Sequence, residues 1–231
     1  MVRFYLFGAW VSIHPSIWAV LALMGYMLTG GEFGWLGVAL FVVAGFLSLL
    51  AHEMGHAVVG RLFGGGSPAV QLAWLGGICM NKDAKLTRFT RMLMTAAGPV
   101  SSLLLALPVF LLLVHTSGSV AGGVDMLGEV LFGKIPSALV DAYPPMLVLF
   151  GAFVLQVCVW WSVLSLLPIY PLDGGLIMTC LMHSPRRMHI YSMAVAVLLA
   201  ALALITGFHI MAILLGLLIL VNYNGVRNSP Y

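Results

Sequence analysis

The chain has 231 residues, of which 62% are apolar and only 7% charged, with a formal net charge of +3. A soluble domain needs about a quarter of its residues charged to cover its surface, so this composition excludes a water-soluble globule. A mean hydropathy of +1.10 indicates a multi-span membrane protein, and so small a positive charge gives no argument for nucleic acid.

In chain order, "RFYLFGAWVSI" (residues 3–13) is rich in aromatic and β-branched residues and reads as a membrane-associated strand. His14 precedes Pro15 at the start of the first apolar run, where its expected role is to cap the helix. A span needs about 20 mostly apolar residues, and candidates recur at 15–29, 35–61, 92–115, 144–166, 190–206 and 208–223. The last two are parted only by Thr206-Gly207 and count as two spans. Residues 64–82, "GGGSPAVQLAWLGGICMNK", are too short and glycine-broken to span, yet too apolar for a free loop. A strand–turn–strand hairpin over 66–80 that dips into the membrane fits them, where protein or a water-filled cavity satisfies its backbone. Residues 116–143 form a sizeable outer loop, of which 124–141 is expected along the interface. Cys79, Cys158 and Cys180 are scattered and read as small apolar fillers. The first apolar run shows no small-residue cleavage site, so no removable signal peptide is expected. The expected fold is an all-α polytopic membrane protein of about six transmembrane helices with a short membrane-dipping β-hairpin. It forms one domain over residues 1–231.

Orientation follows from the basic residues. With a cytosolic N-terminus, Arg3, Arg61, Lys82, Lys85, Arg88, Arg91, Arg186, Arg187 and Arg227 fall inside, and only Lys134 falls outside. The opposite face receives Glu32, Asp125, Glu129 and Asp141. Both termini are therefore expected in the cytosol, in the cell (inner) membrane if the source is prokaryotic.

The second span ends in "LSLLAHEMGHAVVGRLF", residues 47–63. Ionisable groups within a span are expensive and mark function by default. On a helix His52 and His56 share a face one turn apart, so two imidazoles can bind one Zn²⁺. Glu53 stands beside that face, placed to take a proton from the attacking water. A catalytic zinc site has three protein ligands. The third must lie at the depth of the histidines, which is roughly 8–14 Å inside the cytosolic boundary at 1.5 Å per residue. Glu32, Asp125, Glu129 and Asp141 are on the far face, and Asp83 sits among lysines in a loop. Asp173 remains, in "SLLPIYPLDGG" at the cytosolic end of the fourth span, with His183 as the reserve. Pro168 and Pro171 break the helix there and Gly174-Gly175 are expected to supply a turn, which bends the carboxylate inward.

These motifs carry a resemblance. HExxH late in one span, a glycine-rich apolar hairpin, "AAGP" in the next span and "PxxPLDGG" ending a fourth resemble the site-2 protease family of intramembrane zinc metalloproteases. The likeness covers about residues 10–180. It implies cleavage of peptide bonds in or near transmembrane segments of membrane-tethered proteins, near the cytosolic side, with one zinc on His52, His56 and Asp173 and Glu53 as base. Two positions depart from the family pattern. Ser165 stands where relatives often have Asn before the prolines, and Ser101-Ser102 stand where Asn often follows Gly-Pro. Ser165, Pro168 and Pro171 are accordingly assigned to substrate binding or active-site support. No PDZ insertion or CBS module is visible, so the chain resembles a minimal form.

Rival readings use the same residues. A zinc protease with a downstream glutamate ligand offers only Glu129, on the wrong face. A metal transporter would need polar residues through to the far face, where these spans are almost purely apolar. A catalytically silent relative would bind transmembrane segments without cutting them; Glu53 argues against it, while the serines at the two departing positions keep it open. His115, His189 and His209, the methionines and Trp160-Trp161 read as packing or helix-end residues.

Overall fold

The computed structural model describes residues 1–29, 33–73, 76–81, 85–182, 184–207 and 209–229. Glu32, Lys82, Asp83 and His183 lie outside the described residues. The chain forms two compact units, one of Met1–Lys85 with Ala97–Ser162, the other of Leu86–Ala96 with Val163–Tyr231.

The first unit opens with β1 (Val2–Leu6) and β2 (Ala9–Ile13), joined at Phe7-Gly8. Both turn residues have positive φ, 44° and 87°, the backbone that suits a two-residue hairpin because it matches the twist of the strands. The segment expected as one companion strand thus folds back on itself. β2 lies parallel to β3 (Ala69–Ala73), which turns back antiparallel into β4 (Gly76–Met80), giving the order β1-β2-β3-β4. Ala9, Val11 and Ile13 alternate into the core while Trp10 faces out, the two-residue period of a half-buried strand. A parallel pair needs a long crossover. Here it is supplied by α1 (Ser16–Thr29) and α2 (Gly34–Gly64).

α1 has 14 residues, about 21 Å at 1.5 Å per residue, against a hydrocarbon core of about 30 Å. Among the described residues, the six expected spans therefore resolve as five helices of spanning length and one shorter. The five are α2, α3 (Arg88–Ser117), α6 (Pro145–Ser165), α8 (Pro185–Ile205) and residues Met211–Asn228 of α9 (His209–Asn228). α1 packs on α2, with Trp18 and Phe46 ring centroids 4.8 Å apart. α2 ends where Gly65 and Gly66 turn to positive φ and the Gly65 N–H caps Arg61 O at 2.9 Å. The Arg61 side chain lies over Gly8 and donates to the Tyr5 hydroxyl at 3.2 Å, tying the helix end to the β1–β2 turn. The outer loop folds into α4 (Val120–Leu131) and α5 (Ser137–Ala142). Gln156 and Trp160 of α6 hold the end of α4, donating to Val130 O at 2.7 Å and Leu131 O at 3.1 Å.

In the second unit, α6 ends at Ser165 and α7 (Asp173–Leu181) begins after a non-helical stretch. α8 starts at Pro185 under a Ser184 cap and meets α9 through Gly207, whose φ is 80°, so the last two spans form a tight hairpin. Ala196, Ala203 and Ala212 are buried in it, small enough for close approach in a setting where lipid supplies no hydrophobic drive. Large side chains on the outer faces are bare, with Leu198 70% and Ile205 82% exposed. That is the surface a bilayer covers.

Candidate metal centre

α2 runs unbroken through His52, Glu53 and His56, and all three side chains are buried, at 3%, 4% and 7% exposure. Helical spacing brings the two imidazoles together with Nε2 atoms 3.2 Å apart and rings nearly perpendicular. Two nitrogen ligands about 2.0–2.1 Å from one tetrahedral ion stand about 3.3–3.4 Å apart. The pair is spaced for a single shared ion.

Two residues of α3 complete this geometry, Gly98 and Ser102, which the sequence marked only through the resemblance carried by "AAGPVSS". His52 Nδ1 lies 3.2 Å from Ser102 Oγ, and Ser102 is fully buried. In the tautomer that a metal ligand requires, Nδ1–H donates to this hydroxyl and the Nε2 lone pair is left for the ion. Gly98 faces the same two nitrogens. A Cβ there would collide with Cε1 and Nε2 of His56 and stand 2.9 Å from His52 Nε2. The missing side chain is what lets the two imidazoles pack against α3. Close contact of the helices makes this possible, because Gly55 of α2 presses on the Ala97 carbonyl and Ser101 Oγ donates to Ala51 O at 2.7 Å. The sequence hints were "AAGP", which contains Gly98, and the departure from the family pattern at Ser101-Ser102. The residues fit a metal ion.

Glu53 faces β4. Gly77 has room for no side chain because the Glu53 carboxylate lies against it. Burial, and secondarily the Glu53 charge, push the nearby Cys79 thiol up to about 12. Trp161, expected as plain helix packing, sits 6.3 Å from the His52 ring, edge to face, and its rim is 3.1 Å from where a Gly76 side chain would begin. The histidines and the base are thus walled by an outer strand and an indole.

Asp173 is the first residue of α7, where the positive end of the helix dipole favours a charged carboxylate. Gly174 and Gly175 do not form the expected turn. They are buried in the first helical turn, where any side chain would strike the carbonyls of Leu166 and Leu167 or the backbone of Ile169 and Tyr170. Their role is to let the helix start press on the preceding loop. Ser165 is buried at the last turn of α6, Pro168 is half-buried and Pro171 exposed. Asp173 offers a carboxylate, the kind of third donor that two imidazoles need to hold a metal ion.

His14 and His189 make contacts away from this centre. His14 Nδ1 accepts the Ser16 N–H at 3.3 Å and meets its hydroxyl at 2.8 Å, capping α1. His189 Nδ1 is 3.0 Å from Asn222 Oδ1.

Comparison with known proteins adds two findings. The family model described as Peptidase family M50 matches residues 40–208. The fold is similar to that of the site-2 protease from Methanocaldococcus jannaschii, with a TM-score of 0.55 at 20% identity, covering 99% of this chain and 94% of that one. No curated protein matches the chain in sequence.

Proposed function

The chain belongs to peptidase family M50, a metalloprotease with spans of membrane length, and from that premise we propose that it cleaves peptide bonds in or near transmembrane segments of membrane-tethered proteins. In this reading residues 1–231 work as a single domain, and one Zn²⁺ per chain is held by His52, His56 and Asp173. The observation that carries it is the convergence of two buried imidazole nitrogens, 3.2 Å apart, with a buried glutamate beside them.

Zinc, when bound, supplies Lewis acidity, polarising the scissile carbonyl and lowering the pKa of water. The protein's own residues do the rest. Ser102 holds His52 in one tautomer. Glu53 takes the proton of the attacking water and hands it to the leaving amine. β4 is an outer strand of the sheet, so an unwound substrate added along it would bring its peptide bonds beside Glu53. Ser165, Pro168 and Pro171 support the bend before Asp173 or touch the substrate. The charge bias places both termini in the cytosol and cleavage near that face, about 10 Å within the membrane, a depth that a short polar channel hydrates.

The test is Glu53→Gln, nearly isosteric and without the proton acceptor. Membranes with active enzyme should accumulate cleaved transmembrane proteins that the variant leaves intact, while the variant keeps its zinc and fold. Cleavage near the wild-type rate in Glu53→Gln would remove Glu53 from the mechanism.

A further inference from the structure

Between α6 and α7 the backbone of residues 166–172 is not helical, and peptide groups within a membrane protein must find partners in the protein. At Tyr170 both are taken by side chains from distant helices. The Tyr170 N–H donates to Ser192 Oγ of α8 at 3.1 Å, and the Tyr170 carbonyl accepts from Asn222 Nδ2 of α9 at 2.7 Å. Ser192 and Asn222 are both fully buried.

Asn222 does more than a lone polar residue in an apolar helix does. Such a residue commonly bonds the carbonyl one turn back, and Asn222 Nδ2 does reach Leu218 O at 2.8 Å. The amide's other hydrogen goes to Tyr170, and its oxygen lies 3.0 Å from His189 Nδ1 of α8. The His189 ring fits because residue 225 is glycine, and it meets the Tyr170 ring edge to face at 5.1 Å. One side chain therefore joins α8, α9 and the loop. The loop in turn is in direct contact with the start of α7, since Gly175 packs on the Tyr170 nitrogen and the Ile169 carbonyl.

We propose that Asn222, assisted by Ser192, is a positioning residue for Asp173: by clamping both backbone groups of Tyr170 it fixes the loop on which the first turn of α7 rests, and so the place of the carboxylate. The inference rests on the reading of Asp173 as a metal ligand. It needs no contact between Asn222 and the ion.

The experiment uses the full chain in detergent and zinc alone as the probe, with affinity read by chelator competition and fold by melting temperature. Asn222→Leu keeps the branched shape and loses every hydrogen bond, and should weaken zinc binding about 2- to 13-fold. Ser192→Ala should shift it in the same direction. Asn222→Gln, which keeps both amide groups, should recover part of the loss, a recovery that a packing role would not give. Wild-type zinc affinity in folded Asn222→Leu or Ser192→Ala overturns the clamp, as does equal weakening in Asn222→Gln and Asn222→Leu. Ser192→Ala carries the test if Asn222→Leu does not fold. Wild-type affinity in Asp173→Ala instead overturns the ligand assignment beneath it.

Discussion

Replacing Ser102 with alanine asks whether His52 is a ligand held in one tautomer. Losing the outer partner of a ligating histidine typically weakens metal binding about 10- to 100-fold. The His52–Ser102 distance of 3.2 Å is at the long end for a hydrogen bond, which favours the lower end of that range. Ser102 is fully buried, so bulk water does not take over from the lost hydroxyl and the effect does not vanish. The expected shift is about 10-fold in Kd, or about 1.4 kcal/mol. Purified wild type and Ser102→Ala would be titrated against chelators of graded zinc affinity, with melting curves of the metal-free forms as the control for folding. Ser102→Thr keeps the hydroxyl and should hold zinc more tightly than Ser102→Ala. A folded Ser102→Ala with wild-type zinc affinity would refute the reasoning, since it would leave the tautomer without a role in binding.

Gly98→Ala puts a methyl among the imidazole nitrogens, so zinc per chain should fall to a small fraction while helicity is kept, alanine being the better helix former. Near-stoichiometric zinc in this variant would mean that the ion sits elsewhere. The Cys79 thiol, pushed up to about 12, is protonated at neutral pH and should react with iodoacetamide far more slowly than a free thiol, because only the thiolate attacks. Glu53→Gln removes the smaller of the two causes and should speed that reaction, and fast alkylation of the wild type at pH 7.5 would contradict the placement. On a background without native cysteines, single cysteines near residues 85 and 187 should label from the cytosol and one near 125 from outside. The reverse pattern would put the active site at the other face.

What the sequence determined by itself was whatever is encoded within one element. The spans follow from the length of apolar runs, and the pairing of His52 with His56 follows from four-residue spacing on a helix. The His14 cap and the break after Ser165 follow from neighbours in the chain. The tertiary structure decided which elements meet, and the reason is the solvent. Lipid is as apolar as a protein interior, so spans such as α6 are apolar all round and carry no stripe to mark their inner face. Ser102, 50 residues from His52, is therefore marked only by the family resemblance, and nothing in its own helix sets it apart from Ser117, which bonds the carbonyls of Val114 and Ser119. Gly174-Gly175 look like a turn in the sequence and Gly98 is one letter of a motif, but all three are places where another group comes too close for a side chain. The four-stranded sheet likewise depends on a parallel pairing across two helices, and the clamp at Tyr170 on an asparagine 52 residues away. Contacts of that range are set by the depth and rotation of packed helices, which apolar composition leaves open.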